Sequence, residues 1–501
     1  MSSPVLTVTL NELLADAATK MVDRKVGSVV VIEGGRPVGI LTERDLLRWT
    51  ASHSIDGATT VAEWMTPDPY TIGPGVEVVE AWKTLSEKGY RHIPVVEAGE
   101  LVGIVTMRDL VRIAQIQSMA HPSQVEVPKG LDGVVVAETA VGHVRGLEGF
   151  YHYRQYNAIE LCERRSLEDV WHLLFEGELP TADERRAFLD ELLPLRTIPE
   201  VVRPLLPDLA RAGDHPGPLD GLRTATSAVA QALGFRPSMD LDRATLRADA
   251  MRICAVVPTL VMALHRLRAG LEPIEPHPDL GYSANYLYMR TGEVPDSEHA
   301  RAIERYQIST IDHGFNASTF TARVVTSTGA DLGSAVVAAI GALSGPLHGG
   351  APSRALDMLD AIGTPDRAEA WVRHAVETGG RIMGFGHRVY KTDDPRSVML
   401  RGVAEQLGGD KFEFARQVEK TVVDVLAELK PGRNLYANVE FYAGVVMDRC
   451  GLPGDLFTPT FASSRVIGWC ANILEQAAEN RIIRPSARYV GPPPPQPVPD
   501  A

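Results

Sequence analysis

Cysteine, basic charge and long apolar runs are all scarce in this 501-residue chain, and each shortage excludes a class of protein. With a formal net charge of −14, a nucleic acid is not an expected partner. The most apolar run, residues 335–343, is too short to span a bilayer, and residues 1–20 contain no evident secretory signal. We therefore expect a cytoplasmic protein without a membrane span. Neither a disulfide framework nor a zinc site is expected, because the cysteines lie far apart and form no C-x-x-C pair: Cys162, Cys254, Cys450 and Cys470.

An internal repeat occupies the N-terminal part of the chain. Residues 26–47 (VGSVVVIEGGRPVGILTERDLL) align without a gap on residues 90–111 (YRHIPVVEAGELVGIVTMRDLV), with 10 of 22 positions identical. Each copy contains a β-branched run, a turn with glycine, a second β-branched run and a helix start. A unit of this size has little core of its own, so we expect the two copies to pack together.

Each copy also carries a T-x-R-D motif, and with it the repeat resembles a tandem pair of cystathionine-β-synthase (CBS) domains. The resemblance implies that an adenine nucleotide or a related ligand binds between the copies. A threonine at a helix start offers its hydroxyl and backbone N–H groups to a phosphate, and an aspartate can accept from ribose hydroxyls. The alternative is that both residue types only cap their helices. The expected nucleotide-binding residues are Thr42, Asp45, Thr106 and Asp109.

The remainder of the chain has a different pattern. From residue 131 to about 480, apolar residues three and four apart predict an almost wholly helical region. The alternating strand pattern there is confined to residues 134–138. The tail at 491–501 (GPPPPQPVPDA) is predicted to be extended or disordered. One helix is predicted to place five apolar residues on a single face: Val466, Trp469, Cys470, Ile473 and Leu474.

Histidines and arginines beside glycines recur in the helical region, which contains no metal cluster, P-loop or dinucleotide fingerprint. Glycine lets the backbone approach a ligand closely. Histidine supplies donors, and arginine binds carboxylates through two parallel hydrogen bonds. This inventory suits a small polyanion together with a partner that must be enolised. The segments are DHGFN at 312–316, GPLHGG at 345–350, GFGHRVYKTDDPR at 384–396, NVEFY at 438–442 and FASSR at 461–465.

These segments, in this order, make the chain resemble citrate synthase from residue 131 to about 490. The resemblance implies a multidomain architecture. It has an N-terminal α/β pair of CBS domains (1–60 and 61–116), a linker (117–130) and a mainly α-helical citrate-synthase fold (131–490). The last has large and small domains, the small one at roughly 345–445. It also implies a reaction in which a base removes a methyl proton from acetyl-CoA. The enol then attacks oxaloacetate, and hydrolysis of the thioester gives citrate and CoA.

The resemblance assigns roles to individual residues. His348 matches the donor to the thioester oxygen. Such a donor is needed because the α-proton is only weakly acidic. His387 matches the group that polarises the 2-oxo carbonyl. The last of the oxaloacetate carboxylate ligands reaches across from a partner subunit, so a homodimer or higher homo-oligomer is implied. The CoA thioester is a substrate, and no cofactor is implied. The carboxylate ligands are His313, Arg396, Arg465 and Arg484. The CoA-binding residues are Gly384, Gly386 and Lys391.

One position departs from the family pattern. The catalytic base is usually an aspartate in an N-V-D context, and this chain has Glu440 there. Glutamate is a competent base, with a reference pKa about 0.4 unit above that of aspartate. Its extra methylene moves the carboxylate by roughly 1 Å, a displacement that can cost about 100-fold in rate. We expect Glu440 to be the base, on a helix that is set back to compensate.

Two alternatives stay open at this point. An apolar pocket discriminates one methylene by only about 1–3 kcal/mol, so a 2-methylcitrate synthase that uses propionyl-CoA is one of them. The other is a nucleotide-sensing binding protein whose catalysis is impaired, which only the glutamate at position 440 favours. In the leading interpretation, an adenine nucleotide bound to the CBS pair regulates the condensing enzyme, which requires differential binding to two conformations.

Overall fold

The computed structural model divides the chain into two compact units, Met1–Val134 with Ser486–Ala501, and Val135–Pro485. Backbone structure is described for residues 4–52, 58–88, 90–106, 109–110, 127–131, 133–213, 219–349, 351–380, 382–386, 390, 392–430 and 435–498. The first unit contains the sequence repeat, and the second contains all the histidine- and arginine-bearing segments.

The first unit is built from short strands and helices. A four-stranded sheet has the order β1-β2-β3-β4, and a separate hairpin consists of β5 and β6. The strands are β1 Thr7–Val8, β2 Ser28–Glu33, β3 Arg36–Thr42, β4 Thr66–Pro67, β5 His92–Glu97 and β6 Glu100–Thr106. The helices are α1 Leu14–Arg24, α2 Glu43–Ala51, α3 Val61–Trp64 and α4 Val78–Lys88.

The two sequence copies form hairpins of the same register. Ser28 pairs with Thr42 in one copy and His92 with Thr106 in the other. Both hairpins have a register shift at the same place, after Val31 in the first and after Val95 in the second. Both tight turns use left-handed backbone, with φ of 58° and 82° at Gly34 and Gly35 and of 51° and 90° at Ala98 and Gly99. Such turns match the twist of the flanking strands, so the repeat is structural as well as sequential.

The copies pack against each other, as the small size of each one predicts. Val30 and Ile40 of the first copy form a buried cluster with Ile104 of the second. The backbone N–H of Leu101 also donates to the carbonyl of Gly35 across 3.3 Å. The expected pair of mutually supporting domains is therefore confirmed.

The second unit is mainly helical and begins with a three-stranded antiparallel sheet, β7 Gly142–Arg145, β8 Phe150–Tyr153 and β9 Tyr156–Asn157. The prediction of a strand at 134–138 is wrong. Those residues have no regular structure and are mostly exposed, and a strand needs a partner for its backbone groups. The first half of the helical part contains α5 Ala158–Arg164, α6 Leu167–Glu176, α7 Ala182–Leu192, α8 Leu206–Arg211, α9 Asp220–Ala232, α10 Arg243–Arg268, α11 Tyr282–Thr291 and α12 Ser297–Thr310. The second half contains α13 Ala317–Ser327, α14 Leu332–Leu343, α15 Ala351–Ile362, α16 Ala368–Glu377, α17 Pro395–Leu407, α18 Asp410–Leu429, α19 Val439–Arg449 and α20 Phe457–Ala478.

Two long helices, α10 and α20, form the centre of this unit. The predicted helix with five apolar residues on one face is present as α20, and every residue from Phe457 to Ile473 is buried, so this stretch is covered on all sides. Among the described residues, α10 is the helix that is long and apolar enough to cross a membrane, but 83% of its apolar stretch is buried inside the protein. In the described part of the tail, residues 491–498 have neither helix nor strand.

Candidate active site

The turn between α12 and α13 places Asp312 and His313 at the centre of the second unit. The buried Asp312 carboxylate accepts from the backbone N–H of Gly314 at 3.1 Å and from Nδ2 of Asn472 at 3.2 Å. Burial raises the pKa of Asp312 to about 6, against the opposing effect of the Arg465 charge. Gly314 has a φ of 60°, which glycine adopts without strain. This turn directs His313 away from the Asp312 side chain and toward two tyrosines.

His313 lies between the rings of Tyr151 and Tyr390, each with its centroid 5.6 Å away. Its Nε2 is 3.0 Å from the Tyr390 hydroxyl. Tyr151 comes from β8, and its own hydroxyl donates to the carbonyl of Ser309 at 3.2 Å. The sheet that opens this unit therefore forms part of the site through Tyr151, a residue that was assigned no chemical role from the sequence.

Arg396 lies in the first turn of α17 and is held by the helix-capping residue Asp394. The Asp394 carboxylate accepts from Nε of Arg396 at 3.0 Å and from Nη2 at 2.8 Å, which is the paired geometry of a strong arginine–carboxylate contact. Both side chains are buried. Burial opposes the charge of Arg396, but the Asp394 carboxylate outweighs it and raises the pKa of Arg396. The guanidinium also lies near the rings of Tyr151 and Tyr390, at 6.0 and 5.9 Å.

Arg465 enters the same region from α20. Its Nε donates to the carbonyl of Thr310 at 2.6 Å, and its guanidinium lies 4.6 Å from the centre of the Phe461 ring. Burial lowers the pKa of Arg465, the Asp312 carboxylate opposes that shift, and the charge of Arg396 adds to it. Two buried guanidinium groups thus lie close enough to repel each other. Such a pair is suited to an anion with two carboxylates.

Glu440 occupies the first turn of α19, where Asn438 caps the helix by accepting from the Glu440 backbone N–H at 3.0 Å. Burial raises the pKa of Glu440 to about 7, while the charges of Arg396 and Arg465 lower it and that of Asp394 raises it. The carboxyl is therefore within electrostatic reach of both arginines. A carboxyl that titrates near neutrality is well matched to general base catalysis.

His348 follows α14 and is positioned by the start of α13. Its Nε2 accepts from the backbone N–H of Ser318 at 3.3 Å and lies 2.8 Å from the Ser318 hydroxyl oxygen. Nε1 of Trp469 donates to that same oxygen at 3.0 Å. Burial lowers the pKa of His348 to about 4, and the Arg465 charge adds to the effect. The imidazole is thus a neutral group near pH 7.

A cavity of about 460 Å³ lies beside His348. Gly384 and Gly386 line it with φ values of 79° and 81°. A Cβ at Gly384 would lie 3.0 Å from Cβ of Phe441, so the backbone passes too close to α19 for a side chain. Nδ2 of Asn438 donates to the carbonyl of Gly386 at 3.0 Å, which joins this segment to the helix that carries Glu440. Lys430, which the sequence did not single out, is the cation among the described lining residues.

Two of the predicted site residues, His387 and Lys391, lie outside the described residues. Arg484 is described and is exposed, in a segment without helix or strand after α20. No group of three or more metal-ligating side chains occurs among the residues that the structure describes. The structure therefore brings together five of the predicted residues: His313, His348, Arg396, Glu440 and Arg465.

A second cavity, of about 1100 Å³, lies within the first unit and is lined by both copies of the repeat. All four predicted nucleotide residues line it. Asp45 accepts from the hydroxyl of Thr42 at 2.7 Å, and Asp109 accepts from that of Thr106 at 2.8 Å. The Thr42–Asp45 pair therefore caps α2 and faces the cavity at the same time, and Thr106 and Asp109 make the same hydrogen bond on the cavity wall. The cations among the described lining residues are Lys25, Arg44, Arg48 and Arg91.

Several residues that shape the active site were not assigned a role from the sequence. Asp394 lay inside the GFGHRVYKTDDPR motif, and its position two residues before Arg396 was the available hint. Asp312 likewise sat beside His313 in DHGFN. Ser318 and Tyr151 contact the site through the fold alone, since each is more than 25 residues from its histidine partner in sequence.

Comparison with known proteins identifies two families in the chain. Residues 130–486 match the family "Citrate synthase, C-terminal domain", and residues 1–52 and 61–115 match the CBS domain family. Citrate synthase of Deinococcus radiodurans is 38% identical over 370 residues, covering 73% of this chain and 96% of that protein. The 2-methylcitrate synthase of Mycobacterium tuberculosis is 41% identical over 386 residues, covering 76% and 95%.

Among solved structures, the ternary complex of citrate synthase from Thermoplasma acidophilum with carboxymethyl coenzyme A and oxaloacetate aligns with a TM-score of 0.69. It is 30% identical, and the alignment covers 75% of this chain and 98% of that one. The likeness extends over the helical unit, and the CBS pair is additional to it.

Proposed function

The chain belongs to the citrate synthase family and carries a tandem CBS pair, and from this premise we propose that it condenses acetyl-CoA with oxaloacetate to give citrate and CoA. Its general reaction is the condensation of an acyl-CoA with oxaloacetate. The observation that carries the proposal is that the charges of Arg396 and Arg465 both act on the Glu440 carboxyl, while the charge of Arg465 also acts on the neutral His348 imidazole.

In this mechanism Glu440 removes a proton from the methyl group of acetyl-CoA. His348 donates a hydrogen bond to the thioester oxygen, where negative charge develops as the enol forms. Thioester α-protons are weakly acidic, so the base needs a hydrogen-bond donor at the oxyanion, and the neutral His348 can supply one. The pKa of Glu440, raised to about 7 by burial, supports its role, since a carboxylate that holds a proton well is a better base.

The electrophile in the proposal is oxaloacetate, bound by His313, Arg396 and Arg465. Two guanidinium groups and an imidazole can pair with two carboxylates, and the like charges of the arginines favour a dianion between them. His387 is proposed to polarise the 2-oxo carbonyl. Arg484 is proposed to act across a homodimer, contributing to the site of a partner subunit, which agrees with its exposure in a single chain.

The CoA thioester is proposed to enter through the 460 Å³ cavity beside His348. Gly384 and Gly386 would present backbone to the pantetheine arm, because their lack of Cβ keeps the wall flat. Lys391 is proposed to meet a phosphate of CoA. Lys430 supplies a further positive charge to this wall.

The identity of the acyl donor, acetyl-CoA or propionyl-CoA, is the more specific part of the proposal. Propionyl-CoA, giving 2-methylcitrate, is the second candidate, and the 41% identity to a 2-methylcitrate synthase favours it. Release of free CoA thiol with oxaloacetate should be measured with each thioester in turn. A kcat/KM at least about tenfold higher for acetyl-CoA supports citrate synthase, since one methylene is worth about 10–200-fold in an apolar pocket. The reverse ratio favours the second candidate, and no thiol release with either contradicts the condensing function.

The CBS pair is proposed to bind an adenine nucleotide and to regulate the condensing activity. The cavity lined by both T-x-R-D motifs and by four cations supports this assignment, because phosphates require positive charge and helix N-termini. Calorimetry with AMP, ADP and ATP, together with the KM for oxaloacetate in the presence of each, tests it. No heat with any of the three and unchanged kinetics would remove the regulatory part of the proposal.

A further inference from the structure

Arg323, on α13, is the centre of a buried hydrogen-bond network that the reaction mechanism does not use. Only 4% of its surface is exposed. Its Nε donates to Oε1 of Gln476 and its Nη1 to Oδ1 of Asn472, both at 3.2 Å, and Nη1 also pairs with Glu475. All three partners lie on α20, the helix that carries Arg465.

One branch of this network ends in the proposed oxaloacetate site. Because Oδ1 of Asn472 accepts from Arg323, its Nδ2 is turned toward Asp312 and donates to Oδ1 of that carboxylate at 3.2 Å. The other oxygen of Asp312 accepts from the backbone N–H of Gly314. These bonds fix the backbone on both sides of His313, and they hold the Asp312 charge where it acts on Arg465.

The other branch ends on the chain that enters the helical unit. Nη2 of Arg323 is 3.5 Å from the carbonyl oxygen of Glu138. The Glu475 carboxylate, which pairs with Arg323, also accepts from the backbone N–H of Ala140 at 2.7 Å. Two residues later the chain becomes β7, which leads to the strand that contributes Tyr151.

We propose that Arg323 is a positioning residue for oxaloacetate: it orients the Asn472 amide toward Asp312 and ties the entry segment 138–140 to the same network. The proposal rests on the proposed function, because it takes His313 and Arg465 as the oxaloacetate ligands. A planar guanidinium can serve several acceptors at fixed angles, whereas an ammonium group is a single point charge. Lysine at this position would keep the charge but lose the donor that orients Oδ1 of Asn472, leaving the amide held only from its Nδ2 side, by Asp312 and by the carbonyl of Gly468 at 2.9 Å.

The test is the Arg323→Lys variant compared with Arg196→Lys. Arg196 is equally buried, at 4% exposure, and its contacts with the carbonyl of Leu280 at 2.7 Å and with Glu168 at 3.9 Å involve none of the proposed ligands. Both variants lose a buried guanidinium, so both should melt at a lower temperature than the wild type. Only Arg323→Lys should raise the KM for oxaloacetate, by about tenfold, with kcat reduced less than about threefold and the KM for acetyl-CoA unchanged.

A double-mutant cycle separates positioning from a general loss of packing. Asn472→Ala alone should also raise the KM for oxaloacetate, and adding Arg323→Lys to it should have little further effect, because both act through one amide. If the increases in the KM for oxaloacetate of the two single variants multiply in the double variant, the proposal is overturned. A folded Arg323→Lys variant with wild-type KM for oxaloacetate would also overturn it. If the wild type neither binds oxaloacetate in calorimetry nor turns it over, the proposed function fails and this inference fails with it. If the wild type is fully active and Arg323→Lys has an unchanged KM for oxaloacetate, only the positioning role of Arg323 is removed and the proposed function stands.

Discussion

The backbone N–H of Ser318 donates to Nε2 of His348 across 3.3 Å. A ring nitrogen that accepts from a backbone N–H does not carry a hydrogen itself, so this contact favours the neutral imidazole with its hydrogen on Nδ1. Ser318 is the second residue of α13, where backbone N–H groups have no partner within the helix and are available to other acceptors. The start of α13 thus orients His348 and favours donation to a ligand through Nδ1.

Replacing His348 by alanine removes the proposed donor at the thioester oxygen. We expect kcat to fall by about 10²–10³-fold, which is typical for loss of one donor to an oxyanion, with little change in the KM for oxaloacetate. Thiol release under saturating substrates measures this. His374→Ala is the matched control, because His374 is exposed on α16. A loss of less than tenfold in kcat for His348→Ala would argue that another group stabilises the oxyanion.

The pH dependence of the reaction should report the titration of Glu440. Burial raises its pKa to about 7, and the base is the deprotonated form, so kcat/KM for acetyl-CoA should rise with pH and reach half its limit near pH 7. His348 should not contribute between pH 5 and 9, because burial lowers its pKa to about 4 and it is neutral throughout that range. A profile that is flat from pH 5.5 to 8.5 would contradict the assignment.

Glu440→Gln keeps the shape of the side chain and removes its ability to accept a proton. Above pH 7 we expect turnover to fall by about 10²–10⁴-fold, since that is what a positioned general base contributes, and below pH 7 the ratio should shrink because the wild-type carboxyl is itself protonated. Glu440→Asp is the informative partner: it retains the carboxylate and withdraws it by roughly 1 Å, so turnover should fall by up to about 100-fold and remain above that of the glutamine variant. Near-normal turnover in Glu440→Gln would defeat the hypothesis.

The sequence predicted the architecture because its strongest signals were local. The repeat, the T-x-R-D motifs and the helical periodicity each lie within short stretches, and both the CBS pair and the helical fold were confirmed. The error at 134–138 has a physical cause. The alternation of residue types was present there, but no partner strand pairs with those residues, and a strand needs one for its backbone groups.

The candidate site was predictable only where a short motif contained the residue itself. His348, Arg396 and Glu440 sit in such motifs, and their catalytic and binding roles stay predictions. Ser318, which contacts His348, and Asp312, whose charge acts on Arg465, were not assigned any role, because these contacts join segments that are distant in sequence. A hydrogen bond such as that from Asn472 to Asp312 depends on how α20 packs, which no local pattern encodes.

Nucleotide binding by the first unit should depend on Arg48. This residue lines the 1100 Å³ cavity and pairs with Asp45 of the first T-x-R-D motif at 3.7 Å. Arg48→Gln should weaken the binding of the nucleotide that gives the largest heat by about fivefold or more, because one phosphate contact is lost. Arg24→Gln, which removes an exposed positive charge outside the cavity, should leave the Kd unchanged. Equal Kd values for the two variants and the wild type would show that this cavity is not the nucleotide site.

The close approach of α20 to the turn before His313 depends on Gly468. A Cβ at this position would lie 2.0 Å from the carbonyl oxygen of Ile311 and 2.9 Å from its carbon, so the helix and the turn are in backbone contact. Arg465 is one helical turn earlier on α20 and bonds to Thr310, on the same stretch of chain. Glycine at 468 therefore sets the distance between two groups of proposed oxaloacetate ligands.

Gly468→Ala should push α20 away from the turn, and both stability and substrate binding should suffer. Overpacking of this kind typically costs about 1–3 kcal/mol, which corresponds to a drop in Tm of several degrees. We also expect the KM for oxaloacetate to rise, because Arg465 and His313 move apart, whereas the KM for acetyl-CoA should change little. Gly402→Ala is the control: Gly402 is inside α17 with open space around it, and alanine there should stabilise the helix by about 0.5–1 kcal/mol. Thermal melts and initial rates of both variants decide the matter, since a Gly468→Ala protein with wild-type Tm and KM would mean that the helix and the turn can separate without consequence.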